Sequence, residues 1–137
     1  MPSFGGLEDF PLFAGIPEED LRNFRALFEE RTFRKRERLF ASDQALDSIY
    51  FVKHGRVKIS YFSEDGKEFT VTILKPGEVY SQHSEAVATA LEETSVLVIR
   101  MEGFKKILQA RPQIAARLIN VLGRILRMQN DVVQNLA

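Results

Sequence analysis

The sequence predicts a mainly β fold with added helices: a double-stranded β-roll of the jelly-roll type, one helix before it and a long helix after it. Three observations carry this. Between Arg31 and Ile99 the hydrophobic period is two, in short runs broken by turn residues. The segments on either side have helical spacing instead. No apolar run approaches the roughly 20 residues of a membrane span.

Composition narrows the function classes. With 137 residues, 45% of them hydrophobic, the chain can bury the core of one compact domain. Its 19 basic and 19 acidic side chains cancel, so no global field draws it to nucleic acid or to an anionic membrane. Without cysteine there is no disulfide framework, thiolate zinc site or cysteine nucleophile. The opening Met-Pro-Ser-Phe-Gly-Gly has neither a basic nor an apolar signal region, and a cytoplasmic protein is expected. No Ser/His/Asp order, HExxH or phosphate-cradling glycine loop is present, and the two histidines fall in separate turns, so an enzyme is not expected.

Residues 1–16 read as an arm whose Phe4, Phe10 and Phe13 dock on a core. Ile16-Pro17-Glu18-Glu19-Asp20 starts a helix, because proline suits its first position and carboxylates its positive end. Leu21, Phe24, Ala26, Leu27 and Phe28 extend an apolar stripe to about Glu30. The basic run Thr32–Phe40, interrupted by Glu37, reads as a solvated strand face. His54-Gly55, between two β runs, reads as a two-residue hairpin turn, and Glu64-Asp65-Gly66-Lys67 as a second turn. Glu102–Ala110 makes a short helix, which Arg111-Pro112 ends.

Beyond Pro112, Ile114, Leu118, Val121, Ile125, Met128 and Val132 recur at alternating steps of four and three, a heptad seam that predicts self-association of a long helix. Ala115, Leu122, Leu126 and Val133 form a second row that could face the chain's own roll. Gly123 sits between the rows in mid-helix, where it costs about 1 kcal/mol relative to alanine, so close approach of a ligand or partner backbone is expected there.

The central stretch is Pro76-Gly77-Glu78-Val79-Tyr80-Ser81-Gln82-His83-Ser84, which sets one histidine just after a Pro-Gly turn, where a small roll would have its pocket. Imidazole titrates near neutrality and is a common metal ligand. A histidine hydrogen-bonded inside the roll is the plain alternative.

The order of elements, with Leu12-Phe13-Ala14-Gly15-Ile16-Pro17, Ile49–Lys58, Ile73–Glu78 and Leu122-Gly123-Arg124-Ile125-Leu126, resembles the sensor half of the CRP/FNR transcription regulators, across essentially the whole chain. The resemblance implies a cyclic nucleotide-binding-like roll over 1–110, a dimerisation helix over 111–137 and DNA contact only through a helix-turn-helix domain not in these residues. In the cyclic-nucleotide members an arginine pairs with the buried phosphate. Between Gly77 and Ile99 this chain has no arginine or lysine, which disfavours that ligand.

The stretch looks instead like that of the CooA-type haem carbon monoxide sensors, with Ser81 in place of the family's cysteine. By that resemblance non-covalently held haem b would be bound with His83 as one axial ligand and Pro2, exposed by loss of Met1, as the other. Leu122, Gly123 and Leu126 would line the side on which carbon monoxide binds. The gas would replace Pro2, and the freed arm would favour another packing of the paired helices in a homodimer. Ser81, a poor substitute for a thiolate, leaves the His83 and Pro2 pair intact. A domain of the same superfamily that binds another small effector without haem is the alternative.

Overall fold

A computed structural model describes residues 5–40, 48–81 and 86–120. Among the described residues there are eight strands, β1 (Phe28–Phe33), β2 (Arg38–Phe40), β3 (Ser48–His54), β4 (Val57–Phe62), β5 (Glu68–Leu74), β6 (Val79–Ser81), β7 (Val87–Ala90) and β8 (Thr94–Arg100). They form two antiparallel four-stranded sheets, ordered β1-β8-β3-β6 and β2-β7-β4-β5. This is the double-stranded roll expected from the period-two pattern.

The central strands of the first sheet, β3 and β8, are buried on both faces, while the edge strand β1 is largely exposed, and side-chain alternation sorts their residues between two cores. Tyr50, Val52, Tyr80, Val96 and Val98 point inward and meet Val57, Ile59, Leu74, Ala88 and Ala90 of the second sheet. Ile49, Phe51, Val79, Leu97 and Ile99 point outward and meet the arm and helices. Two buried faces explain why Ile49–Val52 reads as a continuous apolar run instead of an alternating one.

The arm docks as expected: Leu7, Phe10, Leu12 and Phe13 are buried in the outer core, and Phe51 carries the rings of Phe10 and Phe13. Phe4 lies outside the described residues. The first helix, α1 (Glu18–Arg25), begins after Pro17 with three acidic residues in its first turn. It ends earlier than the apolar stripe predicts. Phe28 starts β1 instead, because the run Phe28–Phe33 pairs along its whole length with β8, from Phe28 opposite Ile99 to Phe33 opposite Thr94. A complete ladder outweighs the helical spacing of Leu27 and Phe28.

Two other expectations are corrected. His54 and Gly55 do not close a hairpin, since β3 and β4 belong to different sheets and the chain crosses between them there. The basic run is not one strand. It is broken by a turn at 34–37 between β1 and β2. The turn at 64–67 does join a hairpin, β4 with β5.

The second helix, α2 (Met101–Ala110), buries Phe104 and Ile107. Helix α3 is described over 112–120. Its inward row is not the expected one at this end: Ile114 is fully buried in the chain's own outer core and Leu118 packs beside it, while Ile119 is exposed. Two contacts set that rotation. Arg111 pairs with Asp20 of α1, and the Arg117 guanidinium donates to the carbonyls of Leu12 (3.1 Å) and Ala14 (2.7 Å).

Candidate functional site

The Pro76-Gly77 turn is built locally and tied to the first sheet. Gly77 takes φ 95°, a conformation that a side chain disfavours. The Glu78 carboxylate accepts from the Lys75 N–H at 2.7 Å, which closes the turn on itself. Gly77 N–H donates to the Val52 carbonyl and Val52 N–H to the Glu78 carbonyl, at 2.8 and 2.9 Å. The turn therefore delivers β6 in register with β3, Tyr80 opposite Tyr50, both phenols entering the inner core.

Among the described residues that inner core has no charged member. Besides the two tyrosines it holds aliphatic side chains and the short Ala86, Ala88 and Ala90. The nearby charges are turned out and paired. Lys58, between the inward Val57 and Ile59, meets Glu68 at 2.9 Å, and Arg56 meets Glu92 at 3.0 Å. Lys58 and the Ser60 hydroxyl hold the Glu68 carboxyl below its usual range. No cation is thus aimed into the described interior, where a cyclic phosphate would need one.

The sequence-predicted ligands His83 and Pro2 lie outside the described residues, as do Leu122, Gly123, Leu126, Val121, Ile125, Met128 and Val132. What is described is their approach: β6 ends at Ser81, two residues before His83, with its side chains alternating into the roll. The arm that follows Pro2 is locked from Leu7 onward. His54, the other histidine, is exposed at the end of β3, away from the inner core.

Sequence reasoning missed three contributors. Tyr50 and Tyr80 place polar tips in the inner core, and only the cross-strand register reveals that they are neighbours. Arg117 joins α3 to the arm, more than a hundred residues away in the chain, and nothing local marks it.

The roll, its Pro-Gly-Glu turn and the helices around it define a class. The chain belongs to the cyclic nucleotide-binding domain family, whose pattern matches residues 30–111, on the CRP/FNR branch. A Thermus thermophilus cyclic AMP receptor protein is 27% identical over 124 residues, 85% of this chain and 57% of that protein. The chain thus spans less than two thirds of that relative. Among solved structures, a CooA variant from Carboxydothermus hydrogenoformans superposes with TM-score 0.82 at 26% identity, over 99% of this chain and 91% of that one. The haem domain of CooA from the same organism gives 0.70 at 27% identity, over 90% and 85%.

Proposed function

We propose that this chain is the effector-sensing and dimerising half of a CRP/FNR-type transcription regulator, and that it senses carbon monoxide through non-covalently held haem b. The observation that carries this reading is the inner core. It is apolar, with no charged member among the described residues, and is reached by a strand that ends two residues before His83. A lining of this polarity matches an apolar macrocycle and offers no cation to a phosphate. The structural likeness to CooA haem domains supports the same choice.

Bound haem would supply an iron that takes up the gas. His83 would hold it by a neutral imidazole nitrogen. Pro2 would hold it by a neutral secondary amine, a weak donor suited to leaving. Leu122, Gly123 and Leu126 would line the gas side. This chain's own residues would then transmit the change: the arm is bonded to α3 through Arg117, so a freed arm would shift the helix whose Val121, Ile125, Met128 and Val132 would pack against a second copy. Since Ile114 lies in the chain's own core with Leu118 packed against it, the interface would begin beyond them.

The test is the absorbance of haem-reconstituted protein, reduced and then exposed to carbon monoxide. Wild type should show an intense Soret band that shifts with the gas, and His83→Ala should alter the ligand-free spectrum. Identical spectra for the two proteins, or tight calorimetric binding of a cyclic nucleotide, would remove the proposal. Deleting residues through Pro2 should change the spectrum before gas is added.

A second reading, a domain of this family for another small effector, is favoured by the cyclic AMP receptor among the relatives. It predicts no Soret band under any loading condition.

A further inference from the structure

The start of the arm is held differently from the rest of it. From Leu7 onward its apolar side chains are buried in the outer core, but Gly5 and Gly6 have none and border an open cleft of about 370 Å³, lined on the sheet side by Phe28 and Leu97. Two polar ties take the place of packing. The Gly5 N–H donates to the Asp9 carboxylate at 2.7 Å, which folds the chain back over the helical turn at Leu7–Asp9. Glu8, in the same turn, meets Arg25 of α1 at 3.1 Å.

Arg25 is shared between two carboxylates. Its Nη1 donates to one Glu18 oxygen at 2.8 Å, and its Nη2 divides between the other Glu18 oxygen, at 3.3 Å, and Glu8. Glu18 begins α1 and Arg25 ends it, about two turns apart on one face, so the helix carries both the guanidinium and the carboxylate that competes with Glu8 for it. The other charged side chains lining the cleft, Glu30 and Lys53, pair with each other at 2.8 Å and leave Arg25 to the arm. Arg25, Glu8 and Glu18 are 39%, 48% and 61% exposed, so the grip on the arm is worth only about two- to fivefold, and salt screens it.

We infer that Arg25 is a positioning residue for Pro2: by holding Glu8 it fixes the turn to which the first residues of the chain are joined, and Glu18 sets how firmly it holds. This role rests on Pro2 being the iron ligand that leaves. A grip of this strength steadies the arm without barring its release, and its loss shifts the balance toward the gas-bound state.

Two isosteric substitutions should act in opposite directions. Glu8→Gln removes the arm's half of the grip, whereas Glu18→Gln turns the whole guanidinium fork toward Glu8. The first measurement is hydrogen exchange in the haem-free chain, at the Asp9 and Phe10 amides that donate to the Gly6 and Leu7 carbonyls. Exchange there should speed up about two- to fivefold in Glu8→Gln and slow by a similar factor in Glu18→Gln. The second is carbon monoxide titration of the reduced, haem-loaded protein, read from the Soret band. Half-saturation should come at about two- to fivefold less gas in Glu8→Gln and at more gas in Glu18→Gln, and high salt should bring wild type close to Glu8→Gln. Arg25→Lys, which keeps the charge and loses the fork, should fall between wild type and Arg25→Ala in both measurements. Both glutamine variants loosening the two amides, or neither changing them, would overturn the grip. Altered amides with unchanged gas affinity would overturn the positioning role. A chain that takes up no haem removes the role of Pro2, and the positioning role with it, while its amides still show whether Arg25 holds the arm.

Discussion

Gly55 and Gly66 both take positive φ, 89° and 86°, and separate strain from crowding. A Cβ on Gly66 would meet nothing within 4 Å. On Gly55 it would lie 2.4 Å from the Thr94 hydroxyl oxygen, 2.5 Å from the Glu93 carbonyl oxygen and 2.8 Å from the Thr94 Cα. Two of those atoms are backbone and cannot swing away. Gly66→Ala should therefore cost the left-handed penalty alone, about 1 kcal/mol. Gly55→Ala adds a displaced strand and should cost about 3 kcal/mol. Urea unfolding of the two variants checks this, and equal midpoints would show that crowding at Gly55 is relieved cheaply. The same residue shows where sequence reasoning stops. A glycine after a histidine between β runs announces positive φ, but not that the chain is leaving one sheet for the other beside Thr94. At Arg36 even that signal is missing, because the left-handed residue is not a glycine.

At the scale of elements, the β4–β5 hairpin was legible from its Asp-Gly turn. Its fastening was not, because Glu68 and Lys58 come together only through register. The Glu68 carboxylate accepts from Ser60 at 2.8 Å and meets Lys58 at 2.9 Å, and these partners hold its pKa below the ordinary 4.5. A carboxyl depressed by folding stabilises the fold above its unfolded pKa and loses that contribution as pH falls through the folded one. The stability difference between wild type and Glu68→Gln should thus be constant above about 4.5 and shrink below it; a difference that persists in strong acid would assign it to packing. Helix α3 offers a sharper case. Its heptad spacing was legible, but not the face that Arg117 turns inward by donating to the Leu12 and Ala14 carbonyls. Arg117→Ala leaves those acceptors to water and should cost about 1–3 kcal/mol. Hydrogen exchange should show the loss in the arm, at 12–16, before it appears in the roll. Arg117→Lys, whose compact ammonium lacks the planar guanidinium fork, should recover only part of it.

Across the whole molecule the first sheet is a wall between two cores, and Phe51 anchors the outer one. It is fully buried and touches the rings of Phe10, Phe13, Phe28 and Phe104, so the arm, β1 and α2 all meet on it. Its neighbours Tyr50 and Val52 belong to the inner core across the sheet. Phe51→Ala should cost about 4 kcal/mol through lost burial and the cavity left behind. That is most of a small domain's margin, but it falls on one side. The arm, α2 and the start of α3 should lose hydrogen-exchange protection, while β4 and β7, which share only the inner core, keep theirs. Uniform loss over both sheets would mean the two cores melt as one unit. Separate loss would have a functional consequence: the arm could leave the outer core without opening the inner one across the sheet, as the proposed gas-driven departure of Pro2 would require.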